Sequence, residues 1–183
     1  GLNDAEAAYQ WLIDIGVTPQ QIAFAGDSAG GGLALALMQR MKARGQELPA
    51  AGVFLSPWVD LTCTTPSLDT NTPTDMVLNK AQMQSFAHVY AGKERLDSKG
   101  VSPLFGDLSG LPPSLVQVSR QELLLDDGIR LAEGLEKAGS VVQISKWSQM
   151  PHVWQLLHRY LPQADEALKE VGEFLQARVQ GER

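Results

Sequence analysis

One cysteine in 183 residues, Cys63, has no second thiol to pair with, so an internal disulfide framework is excluded. A lone thiol fits a reducing compartment, and the expectation is a cytoplasmic protein with Cys63 as an inert structural thiol. Histidine is also scarce. With only His88, His152 and His158, well separated in the chain, there is no ligand cluster for a metal, and neither metal nor cofactor is expected. Positive charge is in deficit: 15 Lys and Arg against 21 Asp and Glu leave a net charge of −6. That balance argues against a nucleic-acid partner, and the densest basic grouping, Arg40, Lys42 and Arg44, reads as a solvated helix end. No apolar run approaches the length of a membrane span, and no signal-peptide pattern opens the chain. Internal repeats and low-complexity tracts are absent too.

The length suits one domain with a real core. A periodic apolar stripe (Ala7, Ala8, Trp11, Leu12, Ile15) predicts a helix over Asn3 to Ile15, capped by Asn3 or Asp4 and ended by Gly16. Gly1 is not an initiator and this helix begins at once, so the expectation is a C-terminal portion of a longer protein. Further along, Gln21–Ala25, Ala51–Ser56, Ser114–Ser119 and Val141–Trp147 read as short strands. Helices are expected over Leu33–Arg44, Leu125–Ala138 and Ala164–Val179, the last approached through Pro162. Alternating strands and helices imply a mostly parallel sheet with helices on both faces. Residues 62–101 break the pattern with turn-rich stretches and a modest helix over Lys80–Tyr90. Such an insertion reads as a lid over the strand ends, against a surface excursion with no role.

The densest information lies in Ile22 to Gly32, where an apolar strand runs into Gly26-Asp27-Ser28-Ala29-Gly30 and a small-residue helix follows. Gly-x-Ser-x-Gly between a strand and a helix is the pattern of a nucleophile elbow, a tight turn that lifts a serine hydroxyl clear of the backbone. Gly26 and Gly30 are read as giving that turn room; the competing reading is a serine that merely caps the helix. A serine hydroxyl needs a base, and the base needs a carboxylate to hold its tautomer. On this strand–turn–helix architecture the chain order is Ser, then acid, then His. His152, in the loop after the last predicted strand, fits the base, whereas His88 and His158 read as ordinary surface or half-buried histidines. For the acid, Glu122 lies just past the third strand and ranks ahead of Asp126 and Asp127, which also suit a helix start. The backbone N–H of Ala29 is the candidate oxyanion donor, and no glycine-rich loop supplies a second. Trp58 and Trp154 flank these residues and suit either a pocket wall or the core.

Five ordered segments carry a resemblance: Gly26-Asp-Ser-Ala-Gly-Gly31, Ser56-Pro-Trp-Val-Asp-Leu61, Leu108-Ser-Gly-Leu-Pro-Pro113, Glu122-Leu-Leu-Leu-Asp-Asp127 and Met150-Pro-His-Val153. Together they resemble the bacterial hormone-sensitive-lipase-like esterases (family IV, the α/β-hydrolase fold-3 group) over essentially the whole chain. The resemblance implies an α/β-hydrolase fold and cofactor-free hydrolysis of short-to-medium acyl esters through an acyl-enzyme. Ser28 would be nucleophile, Glu122 acid and His152 base, with 62–101 forming part of a cap. It also implies a homodimer through the last strand. Glu122-Leu123-Leu124 departs from the Asp-Pro-Leu of many members and matches a subgroup with Glu. The family's N-terminal cap segment, first strands and His-Gly-Gly-Gly loop have no counterpart here, so an exposed sheet edge and association with the absent portion are expected. Two alternatives remain: a hydrolase-like binding or assembly module without activity, and a lactonase or amidase on the same fold.

Overall fold

In a computed structural model, residues 1–179 are described, and the last predicted helix falls within them. Four strands make one parallel sheet in the order β1-β2-β3-β4: β1 Ala23–Asp27, β2 Ala51–Leu55, β3 Ser114–Ser119 and β4 Val142–Trp147. Ala23 pairs with Ala51, Gly52 with Ser114, and Ser114 with Val142, so the four carboxyl ends form one rim. Successive side chains of each strand alternate between the two faces of the sheet, as the period of two requires. Phe54, Val116 and Val118 meet Leu35 and Met38 of α2 (Ala29–Ala43) and Leu131 and Leu135 of α5 (Leu125–Lys137). Val53 and Leu115 point the other way, onto Phe174 of α6 (Pro162–Gln176). Helix α1 (Leu2–Asp14) lies outside α2, its Tyr9 edge-on to Phe24 with ring centroids 5.5 Å apart.

The boundaries shift where local chemistry competes. β1 starts two residues later than predicted because Gln21 is taken by a capping turn, its Oε1 accepting the Thr18 N–H at 2.9 Å. α1 begins at Leu2 without a side-chain cap; Asn3 instead accepts a hydrogen bond from Arg40 on α2 at 2.6 Å. α2 begins at Ala29 rather than Leu33, so three successive glycines lie inside a helix. α6 begins at Pro162, whose missing N–H costs nothing in a first helical turn.

Residues 62–101 hold two helices, α3 (Ser67–Thr70) and α4 (Lys80–Ala91). Met83, Ala87 and Ala91 of α4 pack on Leu61, Leu68, Leu123 and Leu124 in a second small core above the rim. Asn79 caps α4, its side chain accepting the Gln82 N–H at 3.2 Å. No helix among the described residues is long and apolar enough to cross a membrane.

Candidate active site

Ser28 joins β1 to α2 with φ 52° and ψ −123°, a conformation L-residues avoid. Holding it costs on the order of 1–3 kcal/mol, so the surroundings must over-determine it. They do so from the end of β2: the Ser28 N–H donates to the Leu55 carbonyl, and the Trp58 N–H donates to the Ser28 carbonyl, both at 2.9 Å. The glycine requirement is real but differently placed than predicted. A Cβ on Gly26 would sit 2.2 Å from the Gly30 carbonyl oxygen, whereas one on Gly30 would meet nothing within 4 Å. The tight positions are Gly31, against Pro57 Cβ at 2.8 Å, and Gly32, against the Trp58 carbonyl oxygen at 2.4 Å. The following glycines let α2 sit directly on the Pro57-Trp58 turn. Ala29 opens α2, where a backbone N–H has no carbonyl one turn earlier to bond.

The loops after β3 and β4 bring Glu122 and His152 together. His152 Nδ1 is 2.7 Å from Glu122 Oε2, and both side chains are almost wholly buried. A carboxylate oxygen can only accept, so the contact selects the tautomer with hydrogen on Nδ1 and leaves Nε2 with its lone pair. The other oxygen, Oε1, accepts the Ser119 N–H at 2.7 Å. Ser28, Glu122 and His152 thus sit just beyond the carboxyl ends of β1, β3 and β4, where open α/β sheets place their sites.

The other candidates have separate work. Asp126 accepts the Ser67 N–H at 2.7 Å and ties α5 to α3. Asp127 accepts the N–H groups of Val59 and Asp60 at 3.0 and 2.9 Å, anchoring the segment that follows Trp58. Burial pushes the Asp127 carboxyl up to about 7, against the pull of those two N–H groups, and its Oδ1 is buried without a hydrogen-bond partner among the described residues. Asp60, also buried, pairs with Arg130 and accepts from Thr62. His88 is exposed on α4, and His158, exposed too, has Asp165 at 3.9 Å. Burial pushes the Cys63 thiol up to about 11, which keeps it protonated and unreactive. Among the described residues no group of three His, Cys, Asp or Glu side chains could hold a metal ion.

Trp58 and Trp154 separate cleanly. Trp154 is fully buried beside Trp147 and α6, whereas Trp58 lines two cavities at the elbow. One, about 280 Å³, is walled by Ser28, Ala29, Leu78, Met83 and Leu124; the other, about 520 Å³ and mostly apolar, by Ala29, Leu33, Phe86, Tyr90 and Val101. Residues 62–101 therefore wall the space above Ser28. Sequence reasoning passed over Asn71 and Asp75, which brace the Glu122 loop. Asn71 Nδ2 donates to the Glu122 carbonyl at 2.9 Å, and Asp75 accepts the Leu123 N–H at 2.7 Å. Their only local signal is the turn chemistry of Asn and Asp.

A strained serine at a helix N-terminus and, on the same rim of the sheet, a histidine held in one tautomer by a carboxylate are the groups that acyl transfer uses. Comparisons with known proteins agree on the fold. A family model described as the alpha/beta hydrolase fold matches residues 1–156. An acetyl-hydrolase from Streptomyces hygroscopicus is 40% identical over 174 residues, covering 95% of this chain and 58% of that protein. The carboxylesterase/phospholipase LipF of Mycobacterium tuberculosis is 37% identical over 180 residues, 95% of this chain and 48% of its own. A crystal structure of an esterase from the bacterial hormone-sensitive lipase family superposes with a TM-score of 0.95 at 43% identity, covering 98% of this chain and 60% of that one. The esterase EstE5, soaked by p-nitrophenyl butyrate, gives 0.92 at 38% identity, with 96% and 59% covered. The chain spans about half to three-fifths of the length of these relatives.

Proposed function

The chain belongs to the bacterial hormone-sensitive-lipase-like (family IV) α/β hydrolases, and on that premise we propose that it hydrolyses carboxylic esters of short-to-medium acyl chains through Ser28, His152 and Glu122. The observation that carries the reading is the buried 2.7 Å contact between Glu122 and His152, on the same rim as the strained Ser28. In this reading Ser28 Oγ attacks the ester carbonyl while His152 Nε2 takes its proton. The Nδ1–H donated to Glu122 keeps the ring in register and stabilises the imidazolium that forms. The tetrahedral oxyanion is met by the Ala29 N–H; with no His-Gly-Gly-Gly segment in the sequence, this is the one backbone donor assigned. Collapse expels the alcohol, protonated by His152, and leaves the acyl group on Ser28. Water, deprotonated by the same imidazole, then releases the acid.

Residues 62–101 act as the cap in this reading, because Leu78, Met83 and Phe86 wall the cavities beside Ser28. A homodimer through β4 is part of it as well, since the outer edge of that strand is unpaired among the described residues. p-Nitrophenyl butyrate hydrolysis by the 183-residue chain, with Ser28→Ala beside it, is the test. Turnover should fall by about 10³-fold or more in the variant. Equal, negligible rates for the two proteins would overturn the reading in favour of a hydrolase-like binding module.

A further inference from the structure

The four residues Ser119-Arg120-Gln121-Glu122 close on themselves in the manner of a capping box. The Ser119 N–H donates to Glu122 Oε1 at 2.7 Å, and Ser119 Oγ accepts the Gln121 N–H at 3.2 Å. The box does not start a helix, since residues 120–124 form a turn and α5 begins only at Leu125. The hydroxyl hydrogen goes elsewhere. Ser119 Oγ donates to the Met150 carbonyl at 2.5 Å, and Met150 precedes His152 by a single proline. Ser119 is fully buried at the end of β3, which pairs on both sides, with β2 and β4.

We infer that Ser119 is the positioning residue of the Glu122–His152 pair, holding the acid loop by its backbone and the histidine loop by its side chain. The hydrogen bonds form a closed ring. From Ser119 N–H it runs to Glu122 Oε1, across the carboxylate to Oε2, to His152 Nδ1, back along the chain through Pro151 to the Met150 carbonyl, and to Ser119 Oγ. A ring anchored on an interior strand sets the carboxylate–imidazole distance from rigid structure instead of from two loops. Pro151 adds to this, because its fixed φ removes one of the few rotations between Met150 and His152. A hydroxyl suits the circuit because it donates and accepts at once: the Met150 carbonyl can only accept, and the Gln121 N–H can only donate.

The role rests on the reading of Glu122 and His152 as acid and base, and the test separates the two. Ser119→Ala, Ser119→Thr and Glu122→Ala are compared with the unchanged chain, first by proton NMR and then by p-nitrophenyl butyrate kinetics. An imidazole N–H held against a buried carboxylate gives a far-downfield, slowly exchanging signal. That signal should be present in the unchanged chain, vanish in Glu122→Ala, exchange at least several-fold faster in Ser119→Ala, and be retained in Ser119→Thr. In the kinetic arm Ser119→Ala should lose about tenfold in kcat, with KM changed less than twofold, and Ser119→Thr should recover most of it. Unchanged exchange in Ser119→Ala overturns the inference, as does a loss of equal size in Ser119→Thr. Absence of turnover in the unchanged chain refutes the reading of function, while the NMR arm still decides the ring. If Ser119→Ala does not fold, Ser119→Val, which matches Ser119→Thr in shape and lacks the hydroxyl, takes its place in both arms.

Discussion

Asp127 is the residue at which burial, hydrogen bonding and charge pull hardest against one another. Its carboxyl is pushed up to about 7, first by burial and then by the neighbouring Asp60 charge, while the N–H groups of Asp60 and Val59 and the Arg130 charge pull it down. A carboxyl raised on folding is bound more tightly by its proton in the native state than in the unfolded chain. Its contribution to stability is therefore greatest below about pH 4 and is lost as pH rises from there to about 7. Asp127→Asn keeps a carbonyl oxygen for the two N–H groups and abolishes the titration. Urea midpoints at pH 5 and pH 8 should show the variant gaining on the unchanged chain by roughly 2 kcal/mol across that interval. A difference independent of pH would mean that Asp127 stays ionised throughout. The same bonds reach the elbow, because the Val59 and Asp60 amides that Asp127 holds directly follow Trp58, whose own N–H holds the Ser28 carbonyl.

At the scale of elements, α2 is the unusual helix. Its first turn contains Gly30, Gly31 and Gly32, each a poor helix former, yet the helix starts at Ala29. Contact with the Pro57-Trp58 turn explains two of them, since a side chain on Gly31 or Gly32 would overlap that turn. Gly30 faces open space. Gly32→Ala should therefore destabilise the protein by about 1–3 kcal/mol through overpacking against a backbone oxygen that has nowhere to move. Gly30→Ala should instead stabilise it by up to about 1 kcal/mol, the helix-propensity difference. Thermal melts of the pair check this, and shifts of the same sign would refute the packing argument. α4 shows the more familiar case: its buried Met83, Ala87 and Ala91 recur every four residues, while Phe86, Val89 and Tyr90 stay exposed.

For the molecule as a whole, the sheet is covered unevenly. α2 and α5 share one face, and α6 alone among the described residues packs on the other, through Phe174, Val171 and Leu175. β1 shows the consequence: Ala23 is partly covered, but Ala25 and Asp27 on the same face are exposed. Phe174 is 3% exposed at the centre of the α6 contact. Phe174→Ala should cost about 3–5 kcal/mol, read as a lowered urea midpoint with unchanged slope, because it empties the centre of the α6 contact with Val53 and Leu115. A lowered slope instead would point to α6 detaching on its own, before global unfolding.

Much of the fold and the candidate site is local in the chain, and that part was legible in the sequence. Gly26 to Gly32 specifies a strand, a sharp turn and a helix within one short run. The serine–acid–histidine order follows from where three loops leave a parallel sheet, so Ser28, Glu122 and His152 stand out before any coordinate. Period-two and period-3.6 patterns likewise marked all four strands and the five longer helices to within a few residues, the N-terminus of α2 being displaced most. Among the neighbouring carboxylates the offset from the end of β3 singles out Glu122, the one that contacts His152; what Asp126 and Asp127 do depends on chain segments some sixty residues away. The tertiary structure alone decided the rest. Asn3 left its capping role for Arg40, the glycine constraint moved from Gly30 to Gly31 and Gly32, Trp154 went to the core while Trp58 faced the cavities, and Ser119 reached Met150. Each is a contact between segments distant in the chain, set by how strands pair and helices dock, and a local pattern carries no record of that distance.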